Sequence, residues 1–280
     1  MTEILRTADQ VRERVSALRS RGQKLALVPT MGYLHEGHLS LMREGKRRAE
    51  VCAASLFVNP RQFGPNEDLG RYPRDEDGDL EKCRRAGVDF LWAPEVAEVY
   101  PKGFQTSVKV AELEKGLCGA SRPHHFEGVA TVVAKLFNLF RPDVALFGQK
   151  DYQQLKIIER LNRDLDFGIE IVGMPIVRES DGLAMSSRNA YLTPEERARA
   201  LGLSRAIRAA EHMRHNGELR AARLVDAARA ELEAVQVRID YLALVNPETL
   251  EPLETAEGPA RILVAAFVGK TRLIDNSLVG

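Results

Sequence analysis

The chain alternates short apolar runs with amphipathic stretches, and that alternation predicts its elements. Residues 25–28 (Leu-Ala-Leu-Val) form a continuous apolar run of the buried-strand type, closed by Pro29, which cannot donate to a sheet ladder. Leu39, Leu41 and Met42 open a helical pattern from His38 to about Glu50, among Arg43, Glu44, Lys46 and Arg47. Residues 51–58 are apolar again. Strand, helix and strand in this order make a βαβ unit, whose crossover is almost always right-handed. Upstream, Thr7 and Gln10 have capping-box spacing ahead of Val11, Val15 and Leu18, so residues 8–21 are expected to be a helix ended by Gly22.

The rhythm continues downstream. Residues 75–86 read as helix, 88–92 as strand, 93–103 as loop, and 118–128 as a loop before the apolar helix 129–140. Residues 142–147 and 169–174 read as strands around a helix carrying Leu155, Ile158 and Leu161. Thr193-Pro-Glu-Glu196 opens a long helix to about Asn216; residues 219–235 read as a second helix, and 238–245, 261–268 and 271–275 as strands. The expectation is an α/β protein. A doubly wound parallel sheet occupies residues 1–175, a hinge 176–182, and a smaller C-terminal α/β cap domain 183–280.

Composition narrows the function. Forty basic and forty acidic residues cancel, which argues against a grip on nucleic acid or on an anionic membrane. Any anion site must be local. Cys52, Cys83 and Cys118 are odd in number and widely spaced, which fits neither a disulfide framework nor a CxxC knuckle, and points to a reducing cytosol. The first residues place charges where a signal peptide needs an apolar core, and no apolar run approaches the roughly 20 residues of a membrane span. A soluble cytoplasmic protein is expected.

The candidate chemistry sits where strands break into helices. Gly32 and Gly37 permit tight turns between the first strand and its helix, and such a junction aims unpaired N–H groups at the loop, which favours phosphate. His35 and His38, three residues apart at the helix start, lie on one side, and each can donate to a phosphate oxygen. Two solvated histidines or half of a zinc site are the alternatives, and no third ligand recurs at a zinc-like spacing. A helix N-terminus disfavours imidazolium and a polyphosphate favours it, so the sequence leaves the protonation of His38 open.

Further segments follow the same logic. Asn59 and Gln62 lie in a Pro- and Gly-punctuated loop after the second strand, where amides either read a hydroxy acid or simply make turns. Asp75, Glu76, Asp77 and Asp79 crowd a helix start, which macrodipole complementarity explains; a Mg²⁺ contact through Asp79 is the alternative. Gly148-Gln-Lys-Asp-Tyr-Gln-Gln154 repeats the strand-turn-helix plan, with Lys150 able to reach phosphate and Gln154 one turn later on the same side. Met185-Ser-Ser-Arg188 offers two hydroxyls and a guanidinium, either a polyphosphate clamp or a Ser-rich linker. His212 and His215 repeat the three-residue spacing at a basic helix end and read as solvated.

His35-Glu-Gly-His38 behind Val28-Pro-Thr-Met-Gly32 is similar to the HxGH signature of the nucleotidyltransferase superfamily. With Phe57-Val-Asn-Pro-Arg-Gln-Phe63, most of residues 24–192 resembles the pantothenate synthetase (pantoate-beta-alanine ligase) family. Two positions depart from the family wording. His124 stands where glycine is usual between Arg122 and His125, and Gln149 stands where glutamate is usual.

The resemblance implies a Rossmann-like fold and ATP-dependent condensation of pantoate with beta-alanine through a pantoyl adenylate, releasing AMP and pyrophosphate, with Mg²⁺. It implies His38, His35 and Lys150 as catalytic residues. ATP would be held by Met31, Gly32, Tyr33, Leu34, His35, Glu36, Gly37 and His38, by Gly148, Gln149, Lys150 and Asp151, and by Val177, Met185, Ser186, Ser187 and Arg188. Gln62, Gln154 and Asn59 would bind pantoate and beta-alanine, and the N-terminal domain would form a homodimer. The alternatives are a small-cofactor adenylyltransferase of the same superfamily and a non-catalytic ATP-binding regulator.

Overall fold

The computed structural model describes residues 2–65 and 67–279. Met1 and Gly280, which the expected domain bounds included, and Asn66 of the expected ligand loop lie outside the described residues. In chain order the elements are β1 (Glu3–Leu5), α1 (Ala8–Arg19), β2 (Leu25–Thr30), α2 (Glu36–Arg48), β3 (Val51–Leu56), α3 (Glu76–Arg85), β4 (Phe90–Trp92), α4 (Val96–Val99) and α5 (Leu117–Ser121). They continue with α6 (His125–Phe140), β5 (Val144–Gly148), α7 (Tyr152–Asp164), β6 (Glu170–Met174), α8 (Pro194–His215), α9 (Ala221–Ala234), β7 (Arg238–Val245), β8 (Ala260–Val268) and β9 (Thr271–Val279).

Contacts divide the chain into two compact units. The first holds Met1–Glu112, Arg122–Gln149 and Gln154–Pro175; the second holds Leu113–Ser121, Lys150–Gln153 and Ile176–Gly280. One border falls after Pro175, and two short upstream segments also go with the second unit. Contiguous sequence carries no sign of such an exchange.

The first unit is a six-stranded parallel sheet in the order β1-β4-β3-β2-β5-β6. From β2 the chain steps outward through β3 to β4, then returns to lay β5 on the other side of β2. The order reverses there, and an open α/β sheet takes ligand at such a reversal, beyond the strand C-termini. Those ends are Thr30 and Gly148, where both glycine-bearing segments begin.

Strand alternation covers both faces of this sheet. Ala26, Val28, Cys52, Ala54 and Leu91 pack with Leu41 and Met42 of α2 and Cys83 of α3. On the other face Phe90 stacks on Phe140, and Phe147 meets Phe137 edge-on, both partners coming from α6. Phe90, Phe137 and Phe140 are fully buried, each worth about 1.5–3 kcal/mol relative to exposure.

The second unit packs two helices on a three-stranded antiparallel sheet in the order β7-β8-β9. Ala200, Leu203, Ala206, Ile207 and Ala210 form the buried stripe of α8, joined by Ala221, Leu224, Ala228 and Leu232 of α9.

Several boundaries differ from expectation. β1 was not expected, because three residues give no alternation to read; it pairs with β4 from Glu3↔Phe90 to Leu5↔Trp92. The short α4 lies inside a stretch read as loop and α5 runs from Leu117 into another, both being too short to show a helical period. α2 starts two residues before His38, and α6 starts at His125, inside the expected loop. Residues 176–182, expected as a hinge, carry ordered backbone bonds. Glu179 N donates to Leu183 O (2.8 Å), Gly182 N to Glu179 O (2.9 Å) and Met185 N to Val177 O (3.0 Å), so the Ser-Asp-Gly sequence makes the turn of a hairpin. Among the described residues no helix is long and apolar enough to cross a membrane.

Candidate active site

The loop from β2 to α2 is built by one glycine and one carboxylate. Gly32 has φ +85°, where any side chain is strained, and a Cβ there would also sit 2.7 Å from Leu56 Cδ1 and push that side chain aside. Tyr33 follows with φ +51°, a left-handed conformation that a bulky residue adopts only when held. Asp79 holds it. The residue is 1% exposed, and its Oδ2 accepts from Tyr33 N and its Oδ1 from Leu34 N, both at 2.7 Å. Burial pushes this carboxyl up, while the two loop N–H groups and Lys82, 3.6 Å away, pull the other way.

The two histidines cap the helix reciprocally. His35 is the N-cap of α2, and its Nδ1 accepts from Gly37 N (3.2 Å); His38 Nδ1 accepts from His35 N (3.3 Å). An Nδ1 that accepts carries no hydrogen, so each ring bears its hydrogen on Nε2. The ring centroids are 4.1 Å apart and the planes tilt by 38°. The capping box therefore does double duty. It satisfies two helix-end positions and presets both imidazoles as Nε2 donors at the positive end of a helix dipole. Glu36 is exposed and paired with Arg43.

Beside this loop stands an amide-rich cluster. Asn59 is 1% exposed: its Nδ2 donates to Gln62 Oε1 and Gly128 O, both at 3.0 Å, and its Oδ1 accepts from the Tyr100 hydroxyl (2.9 Å) and Arg61 N (3.3 Å). Those four bonds fill the capacity of the amide, so Asn59 orients Gln62. Gln62 in turn directs Nε2 to Met31 Sδ at 3.0 Å, beside the histidine loop. Burial raises the Tyr100 hydroxyl to about 12, so it stays a donor.

The backbone at Gln62 is clamped from α6. Gln62 O faces His125 Nδ1 at 2.7 Å and accepts from Arg122 Nη2 at 3.2 Å, while Arg122 Nη1 lies 3.0 Å from His125 Nε2. Donation to the carbonyl assigns the His125 hydrogen to Nδ1 and leaves Nε2 to accept from Arg122. Glu67 closes the set with a two-point pair to Arg122 at 2.7 and 2.6 Å. Burial alone would raise the Glu67 carboxyl, but the guanidinium brings it below its usual value. Gly128 allows the approach, since a Cβ there would lie 2.3 Å from Arg61 O. His124 adopts φ +66° as the N-cap of α6 and makes no capping bond.

At the end of β5, Gln149 Nε2 donates to Gly173 O of β6 at 3.1 Å, a bond that an ionised glutamate could not donate. Gly148 and Gln154 also belong to the first unit, and Gln154 is half-buried on α7. In the second unit, Lys150 and Asp151 precede α7, where Gln153 donates to Leu113 O (2.8 Å) and Gly116 O (2.9 Å). Val177 and Met185 bond across the hairpin, Ser186 Oγ accepts from Arg188 N at 3.3 Å, and Ser187 is buried. The first unit thus gathers Met31 to His38, Asn59 and Gln62; the second carries Lys150, Asp151 and Ser186 to Arg188.

Fold and loop together define a class: an α/β protein with a histidine-capped helix start at the sheet's switch point, where such folds take nucleotide phosphates. The pantoate-beta-alanine ligase family matches residues 3–278, and the chain belongs to that family, whose members join pantoate to beta-alanine through an amide bond. Pantothenate synthetase of Myxococcus xanthus is 61% identical over 99% of this chain and 96% of that protein, and that of Anaeromyxobacter dehalogenans 59% over 94% and 93%. The crystal structure of pantothenate synthetase from Thermus thermophilus superposes with a TM-score of 0.94 at 48% identity, covering 99% of both chains. Pantoate-beta-alanine ligase from Francisella tularensis, complexed with beta-gamma ATP and beta-alanine, gives 0.84 at 32% over 99% and 98%.

Proposed function

We propose that the chain makes its amide bond in two steps, with ATP as the activating co-substrate. A pantoate carboxylate oxygen attacks the α-phosphorus of ATP, the bond to the β-phosphate bridging oxygen breaks, and pyrophosphate leaves. The amine of beta-alanine then attacks the acyl carbon, loses a proton, and displaces AMP. The reciprocal histidine cap carries this reading. Phosphoryl transfer needs charge stabilisation and alignment more than a protein nucleophile, and two Nε2 donors preset at a helix start supply both.

In this reading His35 and His38 donate to α- and β-phosphate oxygens, and Lys150 with Ser186, Ser187 and Arg188 grips the polyphosphate. Gln62 and Gln154 read pantoate, and Asn59 contributes by orienting Gln62. Mg²⁺ bound to ATP would neutralise phosphate charge; Asp79, 1% exposed and bonded to two loop N–H groups, is assigned the holding of the loop instead. A homodimer formed through the first unit and a cytoplasmic location complete the proposal. Family membership disfavours an adenylyltransferase or a non-catalytic regulator.

The test is His38→Ala. The variant should fold, with adenylation reduced by roughly a hundredfold or more, the usual effect of losing a preorganised donor to the transition state. Near-normal turnover in a folded variant would remove His38 from the mechanism.

A further inference from the structure

Four residues, Lys150–Gln153, follow the first unit's β5 in sequence yet are anchored in the second unit. Asn276 Nδ2 donates to Lys150 O at 2.9 Å. The Tyr152 hydroxyl donates to Pro247 O at 3.2 Å, and the Arg261 guanidinium lies 3.8 Å from the centre of the Tyr152 ring. Arg261 also donates from Nη1 to Asn276 Oδ1, so one buried arginine fixes both the aromatic ring and the amide that hold the segment.

The neighbouring residue does the same for the hairpin. Asp275, 2% exposed, accepts from Arg178 through both oxygens, at 2.7 and 3.0 Å, and Arg178 also donates to Gly182 O at 3.1 Å in the turn that leads to Met185. Successive side chains on a strand point to opposite faces, so one dipeptide of β9 reaches two separate segments. Asn276 N donates to Asp275 Oδ1 at 2.8 Å, tying the two arms together.

We propose that Asp275-Asn276 is a positioning fork for the second unit's phosphate-binding groups, Asn276 setting Lys150 and Asp275 setting the hairpin that presents Ser186 to Arg188. This rests on the reading of those groups as the polyphosphate grip. In this role both fork residues act by fixing backbone that carries a residue assigned to the grip. Displacing such a group by about 1 Å is enough to lower a rate a hundredfold.

Double-mutant cycles on the full chain test it, with pantoate-dependent pyrophosphate release and thermal midpoints measured for every variant. Asn276→Asp keeps an acceptor for Arg261 and removes the donor to Lys150. It should lower kcat about tenfold to a hundredfold with a smaller change in the KM for ATP, and add less than about twofold to the loss caused by Lys150→Ala. The same loss in both backgrounds, or a wild-type kcat, overturns the Asn276 arm. Arg261→Lys, which weakens the hold on the amide less drastically, must show the same coupling should Asn276→Asp fail to fold. Arg178→Lys, which removes the two-point pair to Asp275 while keeping the charge, should likewise be absorbed by Arg188→Ala, and additivity overturns that arm. Wild-type rates in Lys150→Ala or Arg188→Ala would instead overturn the grip itself, with the arm that rests on it.

Discussion

At the scale of single residues, function depends on side chains whose work is to hold others. Spacing and glycines alone marked the two histidines as a candidate anion loop, with zinc and solvation as alternatives, and left their tautomer unread, because it is set by the backbone N–H groups that each Nδ1 accepts. Asp79 read as one of four acids at a helix start; its partners, Tyr33 N and Leu34 N, are more than forty positions away and leave no local trace. His124 gives the clearest prediction at this scale. It occupies a left-handed conformation that costs a non-glycine residue about 1–2 kcal/mol, and it caps nothing. After allowing for the unfolded-state freedom of glycine, His124→Gly should stabilise the fold by about 1 kcal/mol and raise the thermal midpoint by about 2 °C. An unchanged or lower midpoint would show that His124 makes a compensating interaction.

At the scale of elements, the proposed chemistry sits at helix starts, and their exact start was the weakest part of the sequence reading. α2 begins at Glu36 because His35 can cap it, and α6 begins at His125 because His124 turns the chain into it. The same entry places Arg122 and His125 against Gln62 O, with Glu67 holding Arg122. Glu67 has a lowered carboxyl pKa, so its unfolded form binds a proton more readily than its folded form. Its stabilisation is therefore complete above the ordinary glutamate pKa and is lost as pH falls through the lower folded value. Glu67→Gln should cost about 2 kcal/mol at pH 7, as for a charge-assisted hydrogen bond, and much less in acid. Urea unfolding at pH 7 and at pH 3 checks this; an equal cost at both would mean that charge is not what Glu67 contributes.

At the scale of the whole molecule, the alternation of apolar runs revealed a parallel α/β sheet, because β2, β3 and β5 are covered on both faces and are therefore mostly apolar along their length. The edge strand β1 escaped notice because it is only three residues long. The discontinuous second unit escaped for another reason. Lys150–Gln153 are assigned to it by contacts with Asn276, Pro247 and the 113–118 stretch, none of which is near in sequence. The proposed function turns on activation of pantoate as an acyl adenylate before the amine reacts. The direct measurement is exchange of labelled pyrophosphate into ATP with Mg²⁺ and pantoate present and beta-alanine omitted. The two-step route predicts label in ATP only when pantoate is present. No exchange until beta-alanine is added, or exchange that proceeds without pantoate, would contradict it.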